Sequence, residues 1–311
     1  MVAFLKTTFT IIFLVGFIIG SSGNVFIALV NCMDWVKRRK LSSVDQILTA
    51  LAISRIALLV LELLAWWFSV FNKTFFVEGN RLTIINIAWA VTNHFNLWFA
   101  TCLSIFYLFK IANFSNFVFL YLKWRIKQVV SGILLVSLYL LVLHIVLIKT
   151  SFDTWIDGDK QNLFYNSSFL NYAQFYRFVL IQNLMFILIH FAMALTAFLL
   201  LIFSLWKHLK RMKQNLGGSR DVSTTAHIKA LHTVVAFLFL YIIVFLYHVV
   251  EIWTVELKNT LSSFLVKITV ITFPTGHTCV LIWGHIKLRE NLFKILQWLR
   301  TWFKDGELWG P

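Results

Sequence analysis

The chain has 311 residues and a formal net charge of +15, yet 59% of its residues are hydrophobic and only 13% are charged. A soluble domain spends about a quarter of its residues on charge, so an ordinary cytosolic enzyme is excluded at the outset. The positive charge is scattered between long apolar runs, which argues against nucleic acid as a partner, and three cysteines are too few for a disulfide framework.

An α-helix needs about 20 apolar residues to cross the hydrocarbon of a bilayer. Seven stretches qualify: 7–31, 44–71, 82–108, 126–148, 177–206, 231–253 and 263–284. Backbone groups in lipid must be satisfied within the segment, so these are predicted to be helices. The short alternating segments of a membrane β-barrel are missing, as is the internal repeat of many transporters. The expected fold is an all-α membrane protein: a single seven-helix bundle spanning 1–311. The first stretch begins almost at Met1 and has no small-residue cleavage site, so it reads as a retained signal-anchor helix. From 287 to 304, Leu288, Leu292, Ile295, Leu296, Leu299 and Trp302 form an apolar stripe, with Arg289, Lys294, Arg300 and Lys304 among the polar positions. That pattern fits an amphipathic helix lying on an anionic inner leaflet, or the same helix docked on protein.

Orientation follows from basic residues in the connections. With the N-terminus outside, nineteen Lys and Arg fall in the inner segments, among them Lys37 to Lys40, Lys110, Lys207 to Lys213, Lys229 and Lys287, against seven outside. The predicted topology is therefore N-terminus out and C-terminus in. Asn166-Ser167-Ser168 then lies in the longest outer loop and is the expected glycosylation site. Asn72-Lys73-Thr74 lies close to the membrane, and Asn113-Phe114-Ser115 falls on the cytoplasmic side, where it cannot be used.

Polar groups at bilayer depth are costly and face the bundle interior. On the second helix, Arg55, Leu59, Glu62, Trp66 and Ser69 share one face at helical spacing. Arg55 lies about 18 Å from the inner end, too deep to reach water easily. Asn24 and Pro274 fall at comparable depth, and the expectation is that Arg55 bonds Asn24 and carbonyls loosened near Pro274. The third helix carries Trp89, Asn93, Asn96, Ala100, Leu103, Tyr107 and Lys110 on one face. The sixth aligns Tyr241, Val244 or Phe245, and His248; the seventh aligns Lys267, Pro274 and His277. Their outer halves outline a ligand cavity bounded by Trp66, Trp89, Asn93, Tyr241, His248 and Lys267. Enzymatic signatures (HExxH, CxxC, GxSxG, a P-loop) do not occur, and no cofactor or metal is expected.

At these positions the sequence resembles the type 2 bitter taste receptors, a family of G-protein-coupled receptors. Leu48-Thr49-Ala50-Leu51-Ala52-Ile53-Ser54-Arg55 is similar to the family's helix 2 signature, and Phe106-Tyr107-Leu108-Phe109-Lys110 to the inner end of its helix 3. Lys207-His208 and Ser223-Thr224-Thr225-Ala226-His227-Ile228-Lys229 resemble its third inner loop. Pro274-Thr275-Gly276-His277-Thr278-Cys279-Val280-Leu281 resembles its helix 7 motif, with threonines at two serine positions. The resemblance implies a receptor whose outer pocket takes bitter small-molecule agonists and whose inner face activates a gustducin-like heterotrimeric G protein. Carried over by position, Trp89, Asn93 and Lys267 match agonist-contacting positions, while Tyr107 and Lys110 match the G-protein-facing end, with His227 and Lys229 beside it. Asn166 matches the glycosylated site of the second outer loop. His190 stands where relatives have a helix 5 proline, and Val244 where many have an aromatic, leaving open whether Val244 or Tyr241 reports ligand binding. The rival readings are a pheromone-type chemoreceptor and, from another class, a transporter or channel using Arg55, Glu62 and Lys267 as pathway charges.

Overall fold

The computed structural model describes residues 2–71, 79–161, 168–215, 222–255 and 260–307. Nine helices account for nearly all of them: α1 (Val2–Arg38), α2 (Ser43–Phe71), α3 (Gly79–Ile111), α4 (Phe117–Trp124), α5 (Ile126–Gln161), α6 (Ser168–Asn215), α7 (Val222–Thr254), α8 (Thr260–Gly284) and α9 (Ile286–Glu307). Among the described residues six helices are long and apolar enough to cross a membrane, and Ile268–Gly284 of α8 forms a shorter apolar seventh. All seven predicted spans are present, in an all-α transmembrane bundle.

The helices overrun the predicted spans. The apolar run on α6 suggests 177–206, yet the helix continues to Asn215 because no Gly or Pro interrupts the basic segment after Trp206. The same helix passes His190 without a break, as expected where a proline is replaced. The short helix α4 has no counterpart among the predicted elements. Asn116 accepts a hydrogen bond from the Val118 N–H at 2.8 Å and caps it, so the Asn113 sequon runs into a helix cap. Lys123 then donates to the Ala112 carbonyl at 2.9 Å, closing the C-terminal end of α3.

Packing places α3 at the centre. It contacts α2, α5 and α6, while α8 rests between α1 and α7. The α1–α8 seam is made by a stripe of glycines. A Cβ at Gly16 would lie 2.6 Å from Ile271, one at Gly20 would lie 2.5 Å from the Thr275 hydroxyl, and one at Gly23 would lie 2.9 Å from Thr278. Small residues at this spacing let two backbones approach closely in a lipid solvent, where no hydrophobic drive favours helix association. The approach is close enough for Thr275 to donate to the Gly16 carbonyl at 3.1 Å. Replacing Gly20 by Leu should force α1 away from α8, costing about 1–3 kcal/mol by overpacking. The expected result is a lower unfolding midpoint and less receptor at the cell surface. Gly132→Leu is the control, because a Cβ there meets nothing within 4 Å.

At the opposite end from the start of α1, the chain bends at His285 and α9 departs. Lys287 binds Asp34 of α1 at 2.7 Å, Asp45 of α2 at 3.2 Å and Asn31 at 2.9 Å, tying α1 and α2 to the first turn of α9. Burial holds the His285 imidazole below its ordinary value; Asp45 opposes that shift and Lys287 adds to it. Leu288 is fully buried, whereas Phe293, Ile295, Leu296, Trp298 and Trp302 are exposed. The first turn of α9 is thus docked on protein, and most of the apolar stripe beyond it is exposed. Exposed tryptophans ring both ends of the bundle, Trp67 and Trp253 at one and Trp124, Trp206, Trp298 and Trp302 at the other. Such belts mark the two membrane–water interfaces.

Candidate functional site

Two small cavities open inside the half of the bundle nearest the start of α1, and Trp89 and Asn93 belong to the walls of both. Trp89 lies about 15 Å along α3 from its first residue. Its indole N–H donates to Glu62 of α2 at 3.0 Å, and its edge meets His248 of α7 with ring centres 6.0 Å apart. The first cavity lies toward α5 and α6, bounded by His94, Trp98, His144, Asn183 and His190. The second lies toward α7 and α8, bounded by Val244, Tyr247, His248, Val270, Phe273 and Pro274. Each has a volume of about 20 Å³. That is room for roughly one water molecule and far less than a drug-sized ligand requires.

The first cavity is polar in an unusual way. His144 Nε2 meets Asn183 Oδ1 at 2.9 Å, but His94 Nε2 and His190 Nδ1 are buried without a hydrogen-bond partner. Buried polar atoms cost free energy when unsatisfied, so this lobe favours a ligand group or water able to bridge them. None of these histidines stands out from the sequence as a ligand contact. The available signal is a polar residue at depth in each of three apolar helices.

The expected site residues divide accordingly. Trp89, Asn93 and His248 converge on the cavities. Trp66 lines neither cavity: it stacks on Phe13 of α1 with ring centres 5.5 Å apart, because its helix turns that face toward the α1–α8 seam. Tyr241 also lines neither. It is buried one layer below, with its hydroxyl 3.3 Å from the Leu97 carbonyl and 3.4 Å from Thr101, packed against Phe198, Phe273 and His277. On α7 it is Val244 that faces the second cavity. Lys267 falls within α8, but its side chain lies outside the described residues, as do the side chains of His227 and Lys229. Asn166 and Asn72 lie wholly outside them.

Beneath the cavities is a polar layer. Arg55 is fully buried. Its Nε donates to Asn96 Oδ1 at 3.0 Å and its Nη1 to the Thr278 hydroxyl at 3.1 Å, with the guanidinium 6.0 Å from the centre of the Phe273 ring. The expected direct bonds from Arg55 to Asn24 and to the backbone near Pro274 are not made. Thr278 intervenes: one turn after Pro274, its hydroxyl lies 2.7 Å from the Pro274 carbonyl and 3.1 Å from Asn24 Oδ1. Having a single proton, it can donate to only one of the two at a time. Arg55 Nη2 has no partner, and no carboxylate pairs with the guanidinium among the described residues. His277 stacks on Phe237 with ring centres 4.4 Å apart, joining α7 to α8 at the same level. At the far end of α3, Tyr107 is partly buried against the core, and Lys110 is exposed with its ammonium 5.8 Å from the Phe106 ring.

Comparison with known proteins agrees with the motifs. Residues 1–300 match the family model described as taste receptor protein (TAS2R). The chain is 51% identical over 299 residues to taste receptor type 2 member 140 of Rattus norvegicus, covering 96% of each sequence. It is 48% identical over 304 residues to taste receptor type 2 member 14 of Macaca mulatta, covering 97% of this chain and 95% of that one. The human member 14 is 46% identical over 303 residues, at the same coverage. With seven membrane-spanning helices bearing these motifs and relatives matched along almost their whole length, the chain belongs to the type 2 taste receptor family of multi-pass plasma-membrane signalling receptors.

Proposed function

We propose that this receptor detects bitter small molecules at the Trp89–Asn93 partition and passes the signal to a gustducin-like heterotrimeric G protein. The N-terminus and the cavities face outward; Tyr107, Lys110, His227, Lys229 and the first turn of α9 face the cytoplasm. The observation that carries the reading is that one pair of α3 residues walls two cavities, one bounded by α5 and α6 and the other by α7 and α8. A ligand that displaces this partition binds an expanded arrangement better than the contracted one, and its differential affinity is the driving force. The polar layer at Arg55, Asn24, Pro274 and His277 lies between that partition and the inner ends of α3, α7 and α8. It is the element whose hydrogen bonds exchange. Asn166 carries the glycan of the second outer loop. The exposed apolar stripe and basic residues of α9 rest on the anionic inner leaflet.

Calcium release in cells co-expressing a promiscuous G protein with a gustducin tail tests this reading. A panel of bitter compounds should include several carboxylic acids. A G-protein-dependent response is expected, with matched surface staining. Lys267 refines the prediction: Lys267→Ala should raise the half-effective concentration of acidic agonists about tenfold, the effect of losing one charge-assisted contact, while neutral agonists keep their potency. Uniform loss across both groups would remove Lys267 from the site. Flux of solute without G protein would favour the transporter reading.

A further inference from the structure

A third concavity lies on the outside of the bundle, away from the agonist cavities. The central helix α3 packs against both α2 and α5, which run parallel to each other and leave a gap floored by α3. The gap forms a groove of about 350 Å³. Its deep part is apolar, made by Ile47 and Ala50 of α2, Phe99 and Phe106 of α3, and Val130 and Leu134 of α5. Its mouth is polar: Ser43 and Gln46 from the first turn of α2, Lys127 and Ser131 from the first turns of α5. From Lys127 to Leu134 the groove runs about 10 Å along the helices.

The mouth has unspent capacity. Lys127 is exposed and has no acceptor or ion pair among the described residues, unlike Lys123, which is committed to the Ala112 carbonyl. The side chains of Ser43, Gln46 and Ser131 likewise make no hydrogen bond among the described residues. Both flanking helices begin here, so the positive ends of two helix dipoles add to the lysine. Asp45, in the same turn of α2, is turned away into its contacts with Lys287 and Ser42. The result is a site with an electropositive, hydrogen-bonding rim leading into an apolar slot that opens laterally into lipid.

We infer that this groove binds one anionic phospholipid, its phosphate at Lys127 with Ser43, Gln46 and Ser131, and an acyl chain against Phe99, Ala50 and Leu134. A neutral sterol would satisfy the slot and leave the lysine unpaired; a soluble anion would do the reverse. A membrane lipid with a net negative headgroup satisfies both. The topology proposed above determines which leaflet supplies it, but the binding chemistry does not depend on that topology.

The full chain, reconstituted in nanodiscs of neutral phosphatidylcholine, is given a small fraction of phosphatidylserine carrying a photoactivatable diazirine on its acyl chain. Crosslinked peptides are then mapped by mass spectrometry. Label is expected on residues 46–50, 99–106 and 130–134. Lys127→Glu and Lys127→Gln should lower it about fivefold, the factor corresponding to one lysine near an anionic headgroup. Ala50→Phe, which fills the slot and leaves the charge, should lower it as well, while label on α9 persists in every variant. Equal labelling by diazirine phosphatidylcholine, preferential labelling by a diazirine sterol, or label at the groove unchanged by the Lys127 variants would each overturn the inference. Because both faces of a nanodisc are accessible, a wrong topology would leave these outcomes intact and would show only in antibody access to the termini of intact cells.

Discussion

Replacing Arg55 by Met should abolish agonist-driven signalling while leaving a folded receptor at the cell surface. The guanidinium is fully buried and makes two hydrogen bonds, to Asn96 and Thr278, with no carboxylate partner among the described residues. Hydrogen bonds to a charged group are worth about 1.5–3 kcal/mol each. Taking an ion out of water costs several kcal/mol, and a hydrophobic residue of similar volume often replaces a buried charge at little net cost. The two effects nearly offset, so stability should change little. Signalling is different, because the Arg55 guanidinium hydrogen-bonds from α2 to α3 and α8 at once. Arg55→Lys should fail to restore the response, since a single ammonium lacks the planar fork that spans Asn96 and Thr278. Normal signalling by the Arg55→Met receptor would make this layer dispensable. A variant that never reaches the surface, with a collapsed unfolding midpoint, would make it a folding brace only.

Trp89→Ala should raise the half-effective concentration of agonists about tenfold or more at matched surface expression, equivalent to roughly 1.4 kcal/mol of lost binding. The indole is part of the wall of both cavities, hydrogen-bonded to Glu62 and in edge contact with His248. Removing it joins the two spaces but deletes the indole that both cavities share as a surface on which a ligand can pack. Trp89→Phe keeps a ring and loses only the bond to Glu62, so its effect should be smaller. The ordering Ala worse than Phe, read from complete dose–response curves, separates a ligand contact from the hydrogen bond. Equal losses would assign the effect to the Glu62 bond, and unchanged potency would move the agonist site elsewhere.

The spans were legible because apolar length in a bilayer admits few solutions, and every predicted helix is present. Their ends were not: the basic segment after Trp206 is made of good helix formers with no chemical reason to stop at the membrane edge. The helix α5 continues past Ile148 through Thr, Ser, Asp and Gly158, where propensity alone gives no reason to extend it, with Lys149 paired to Asp153 at 3.0 Å. The short helix α4 depends on a single cap at Asn116, a signal too local to stand out. Within the site, helical spacing correctly aligned Trp89, Asn93 and Asn96, but a wheel drawn on one helix does not say which neighbour a face meets. Trp66 shares a face with Arg55 and still turns to Phe13, and Tyr241 lies one layer beneath the cavity that Val244 faces. The partner of Arg55 illustrates the same limit. Depth placed Asn24 at the right level, but the bond passes through Thr278, whose position one turn beyond Pro274 matters only once α1, α2 and α8 are packed together.

Ligand entering at the Trp89–Asn93 partition should be read out at the opposite end of the bundle as nucleotide exchange. The most direct measurement is GTP uptake by a purified gustducin-type heterotrimer in the presence of this receptor, reconstituted in nanodiscs and titrated with an agonist found in the cell screen. Agonist-dependent acceleration of exchange is expected, right-shifted by Trp89→Ala and absent with Arg55→Met. Exchange that ignores the agonist, or that both variants support as well as the unmodified chain, would contradict this mechanism.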